Sequence, residues 1–109
     1  MHTEVREGAE LLAEIMRADP DYRTFLELSE KLEQDPALAE RVHAFRKRNY
    51  ELQNSSQDPE QEMWNLNAEY LELLREPLVS AYFEAEAGVC RMLQEIQRVI
   101  TSEIQFPEL

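Results

Sequence analysis

Proline follows an acidic residue four times in this chain, at Asp19-Pro20, Asp35-Pro36, Asp58-Pro59 and Glu76-Pro77, while glycine occurs only at Gly8 and Gly88. With so little glycine, tight hairpins of the Asn-Gly type cannot be built, and no stretch shows strand-like alternation. The predicted fold class is therefore all-α. In each Asp-Pro step the aspartate can cap the first free N–H groups of a helix, and the proline sits at the first helical position, where no donor is needed. Three helix starts follow directly. At Glu76-Pro77 the proline disfavours a helical glutamate, so one helix ends or bends there.

These marks divide the chain into helical segments Thr3 to Arg17, Pro20 to Gln34, Pro36 to Gln53, Pro59 to Arg75 and Pro77 to Ile104, with Asn54-Ser55-Ser56-Gln57 as the flexible-looking linker. The predicted architecture is a bundle of about five helices with a long C-terminal helix. In the third segment Leu38, Val42, Phe45, Asn49 and Leu52 recur at steps of four and three, which places them on one helix face. Met63, Leu66, Tyr70 and Leu73 repeat this spacing in the fourth, joined by Trp64, Leu71 and Leu74.

The last segment keeps the pattern longest. Leu78, Tyr82, Ala85, Val89, Met92, Ile96 and Val99 form a coiled-coil-like seam over about six turns. At about 100° per residue, Val79, Phe83, Cys90, Leu93, Ile100 and Ile104 make a second apolar strip beside it, and Glu84, Arg91, Glu95 and Arg98 take the far side. One neighbouring helix cannot cover both strips. The shorter helices can cover one, and the surplus predicts a partner chain, most simply a twofold-related copy, with the seam as the dimer contact.

Length and charge set further bounds. The 109 residues carry 11 Lys and Arg against 23 Asp and Glu, a net charge of −12. This is the size of a single domain, 1–109, able to bury roughly two-thirds of its unfolded surface without a disulfide framework or structural metal. With Cys90 alone, no intrachain disulfide is possible. Met1 to Glu10 contains Glu4, Arg6 and Glu7 where a secretory leader needs an apolar run, and no stretch approaches the ~18 apolar residues of a membrane span. The reading is a cytoplasmic protein without direct nucleic-acid or membrane contact, since so negative a surface repels a phosphate backbone.

Few residues arrange themselves for chemistry. Glu40 and His43 have the Glu-x-x-His spacing of di-iron bundles, but no second such motif exists. Relative to Leu38 they fall at about 200° and about 140° around the helix, opposite Val42 and Phe45. A solvated helix face explains them better. Ser55 and Ser56 have no His or Asp arrangement to activate them, and two isolated glycines cannot form a phosphate loop. No catalytic, cofactor or metal residue is assigned. Cys90, beside Val89 and Leu93, reads as a small packing residue. The alternative is a redox or metal-linked protein that shares Cys90 between two chains. Arg41, Arg46, Lys47 and Arg48 concentrate positive charge, yet consecutive residues scatter around a helix and Glu51 lies one turn from Lys47, so local compensation is favoured over a docking patch. Asn49, on its apolar seam, either selects register from a buried position or meets solvent near the helix end.

Across nearly its whole length the chain resembles the YlbF/YmcA family of small helical bacterial proteins. The resemblance lies in a leading amphipathic helix with Leu12, Ala13 and Ile15, then Tyr22 and Phe25 after an acid-Pro step, then Asp35 before a long helix containing Phe45. Pro77, Val79, Tyr82, Glu86, Ile96 and Ile100 continue it in the final helix. It implies a dimeric, cytosolic, non-enzymatic protein that binds other regulatory proteins. Named members regulate competence, sporulation and biofilm development in multiprotein complexes linked to RNA processing, and some are associated with iron-sulfur clusters. Here Ser102 to Leu109 contains no cysteine, so cluster binding is not carried over and no cofactor is expected.

Overall fold

The computed structural model describes residues 2–55, 58–105 and 107. Among them there are six helices: α1 Thr3–Arg17, α2 Pro20–Glu33, α3 Pro36–Ser55, α4 Pro59–Glu69, α5 Leu71–Arg75 and α6 Pro77–Glu103. The proline steps act as the sequence predicts. Asp19 Oδ1 accepts from the Asp21 amide at 2.9 Å, Asp35 Oδ1 from Leu38 at 3.2 Å and Asp58 Oδ1 from Gln61 at 3.3 Å. Each satisfies an amide that the helix itself cannot. Glu76 is extended, with φ −58° and ψ 124°, as a residue before proline prefers, and it separates α5 from α6.

Two boundaries differ from the sequence reading by more than one residue. Asn54 and Ser55 of the anticipated linker continue α3, while Ser56 and Gln57 lie outside the described residues. The single helix expected over Pro59 to Arg75 is instead α4 and α5, broken at Tyr70, whose φ −103° and ψ 21° leave the helical range. No glycine or proline marks that break. The Tyr70 ring packs edge-on against Phe45 at 5.3 Å between centres, a tertiary contact that local propensity does not encode.

The chain divides into two compact units, Met1–Leu26 with Glu84–Leu109, and Glu27–Phe83. The second holds the core. Leu32, Leu38, Val42, Phe45, Leu66, Leu73 and Val79 are buried, with Leu52, Met63, Tyr70, Leu74, Leu78 and Phe83 packed around them. Leu66 and Leu73 are each 1% exposed, and burying such a side chain fully contributes roughly 1.5–3 kcal/mol. No polar or charged residue is buried among the described residues. Trp64 and Leu71, assigned to the inward face from spacing, are exposed instead. Taking Met63 as zero, Trp64 and Leu71 lie at about 100° and about 80°, away from buried Leu66 and Leu73 at about 300° and about 280°.

The first unit has a different character. All the buried residues belong to the other unit, so none of its described residues is buried. On α1, Val5, Leu11 and Ile15 are exposed, between 58% and 62%.

Candidate interaction surface

Within the Glu27–Phe83 unit the basic cluster of α3 is resolved side chain by side chain. The Arg46 guanidinium lies 5.4 Å from the Tyr82 ring centre and 5.3 Å from that of Phe83, and its Nη2 donates to the Tyr82 hydroxyl at 3.1 Å. Arg48 Nη1 donates to Glu69 Oε1 at 2.7 Å, tying α3 to α4, and this partner raises the Arg48 pKa above its usual value. Both arginines are engaged within the chain by groups on other helices. The partners differ from the anticipated one, since spacing within a helix pointed to Lys47 and Glu51. The Arg46 platform was missed altogether. Its signal is the Tyr82-Phe83 doublet together with an arginine next to core residue Phe45, but 36 residues separate them in the chain.

Glu40 and His43 are both exposed. His43 borders a groove of about 140 Å³ shared with Ser29, Leu32, Glu33, Ala39, Val42, Arg46 and Tyr82. That volume holds one side chain, below the several hundred Å³ typical of small-molecule sites. Asn49 is half-buried, and its Oδ1 accepts from Gln53 Nε2 at 3.4 Å, an exposed contact one turn along the same helix. Among the described residues, no three His, Cys, Asp or Glu side chains come together as a metal site requires.

The two strips of α6 fare differently. Leu78, Tyr82, Ala85, Val89, Met92 and Ile96 of the seam are half-buried within the chain, and only Val99 at its end is exposed, at 46%. The neighbouring strip begins buried at Val79 and half-buried at Phe83, then opens. Cys90 is exposed, as are Leu93 at 50%, Ile100 at 49% and Ile104. The reading of Cys90 as a packed residue is thereby corrected: its strip neighbours Leu93 and Ile100 are uncovered themselves, so its thiol has no apolar wall to bury it. On the far side of α6, Arg98 donates from Nε to Glu95 Oε2 at 3.1 Å and from Nη2 to Glu95 Oε1. The pairing lowers the Glu95 pKa and raises that of Arg98.

These features define a small all-helical protein whose apolar surplus lies on open helix faces. The chain belongs to the YlbF/YmcA family: the family model described as control of the competence regulator ComK matches residues 5–105. It is also similar to a UPF0342 protein of Desulfitobacterium hafniense, 27% identical over 107 residues, covering 92% of this chain and 84% of the relative. A UPF0342 protein of Caldicellulosiruptor bescii is 23% identical over 101 residues, covering 89% and 85%. No solved structure matches the chain significantly. Among the described residues, no helix is long and apolar enough to cross a membrane.

Proposed function

We propose that this protein is a non-enzymatic regulatory adaptor of the cytoplasm that acts by binding a copy of itself and other proteins of a regulatory complex. The observation that carries this reading is the unit formed by Met1–Leu26 and Glu84–Leu109. It contains no buried described residue, yet Val5, Leu11, Ile15, Leu93, Val99 and Ile100 are each about half exposed or more. Scattered apolar residues are ordinary on a surface, but a helical unit whose apolar residues all lack full cover is completed by association. The family's description as control of a competence regulator supports a regulatory role, and the net charge of −12 supports protein rather than nucleic-acid partners.

Sedimentation of the purified chain at tens of micromolar, with affinity capture from the native host and mass spectrometry, tests this reading. The expected result is a dimer that retrieves a reproducible set of proteins. A monomer that retrieves nothing beyond the tag control would sink it.

A further inference from the structure

We infer that α1 is a detachable lid on the second half of α6: it lifts and melts while the core stays folded, and its lifting uncovers the seam at Val89, Met92 and Ile96. The lid deepens the binding reading above and rests on it only for the use made of the uncovered seam. Nine consecutive residues of α1, Thr3 to Leu11, are exposed. Only Leu12, Ala13 and Met16 are half-buried, a patch about one turn long. In the same compact unit, the other apolar residues with partial cover include Tyr22 and Phe25 of α2 and Val89, Met92 and Ile96 of α6. The two α2 rings already lie against each other, 6.5 Å between centres, which leaves the seam as the longest apolar run for the α1 patch to cover.

The hold on α1 is apolar only. Among the described residues, its ion pair is Arg6 with Glu10 at 3.4 Å, inside the helix itself, and no side-chain hydrogen bond or ion pair joins it to another helix. By contrast, Arg46 and Arg48 tie α3 to Tyr82 and Glu69. The helix is also weak by itself. Its N-cap His2 makes no side-chain hydrogen bond, whereas α2, α3 and α4 each begin on a capping aspartate. Gly8 has nothing within 4 Å of where a Cβ would stand, so no close approach requires a glycine there. Its backbone freedom favours the unfolded segment about fivefold more than alanine would. A 15-residue helix of this kind is marginal once off its support. Only Ala18 and Asp19 separate α1 from α2, and Pro20 keeps Asp19 from carrying helix across the joint, which makes the pair a hinge. The lifted segment stays tethered beside the seam and closes again at high local concentration.

The test uses the intact chain in three forms, native, Gly8→Ala and Leu12→Glu, with circular dichroism to check helix content. Hydrogen exchange is followed peptide by peptide by mass spectrometry, and Met92 is oxidised with dilute hydrogen peroxide. In the native chain α1 amides should exchange at least about a hundredfold faster than those around Val42 and Phe45, which open only with the core. Gly8→Ala should slow α1 exchange about fivefold, and Met92 oxidation with it, while α3 is unchanged. Leu12→Glu should speed Met92 oxidation about tenfold, and half-buried Met63, in the other unit, should keep its rate. Native α1 amides that exchange in step with α3 overturn the lid. A Met92 rate that neither variant moves overturns its seat on the seam. Both measurements are made without a partner, so either failure leaves the binding reading standing, and a failed capture of partners leaves the lid standing.

Discussion

Arg46 Nη2 donates to the Tyr82 hydroxyl at 3.1 Å while its guanidinium carbon sits 5.4 Å from the centre of the same ring. One side chain thus fastens α3 to the start of α6 in two ways, by a charge-assisted hydrogen bond and by its planar cation over aromatic rings. Arg46→Ala should destabilise the chain by about 1–2 kcal/mol. Arg46→Lys should recover little of this, because an ammonium lacks the flat face that meets both Tyr82 and Phe83. Tyr82→Phe keeps the ring and should cost less than Arg46→Ala. Urea unfolding followed by circular dichroism ranks the three; an unchanged midpoint for Arg46→Ala would show the platform to be ornamental.

The core predicts a contrast between two leucines two positions apart. Leu73 is 1% exposed and Leu71 45%. Leu73→Ala should lose about 2–5 kcal/mol, and Leu71→Ala should stay within about 0.5 kcal/mol of the parent. Equal losses in denaturant titrations would show that Leu71 is as well covered in solution as Leu73.

Asp35 tests the acid-proline punctuation. Its carboxylate accepts from the Leu38 amide, at the end of α3 nearest buried Leu38 and Val42. Asp35→Ala should lower stability by about 1 kcal/mol, and Asp35→Asn or Asp35→Ser should retain most of it. Thermal melts of the three variants distinguish a lost cap from a lost charge.

Glu95 gives the pH dependence. Hydrogen bonds from Arg98, reinforced by its charge, hold the Glu95 carboxyl below its usual range. A carboxyl whose pKa is lower in the folded state stabilises that state above its unfolded pKa, and the contribution fades as pH falls through the folded one. By NMR, the Glu95 carboxyl carbon should titrate at lower pH in the native chain than in Arg98→Ala, and added salt should narrow the gap. Identical midpoints in both proteins would show that the pair does not persist in solution.

Much of this fold is written locally. The Asp-Pro steps mark helix starts because capping and the missing proline donor both act within three residues, and Leu38, Val42, Phe45, Leu66 and Leu73 are buried where four-three spacing puts them. What escapes the sequence is non-local. The break falls at Tyr70, whose ring meets Phe45 far along the chain, the Arg46 platform joins residues 36 apart, and the exposure of Cys90 depends on which strip of α6 the rest of the chain covers. The seam and the strip beside it are equally apolar as sequence, so spacing alone could not rank them.

Trp64, the sole tryptophan, is 68% exposed. Its indole already meets water in the native chain, so its emission should start red-shifted and move little as the core of Phe45, Leu66 and Leu73 comes apart. A fluorescence melt of this protein would then look nearly flat while circular dichroism records full cooperative unfolding. The same property makes Trp64 a quiet optical background against which any molecule that settles on α4 announces itself as a blue shift.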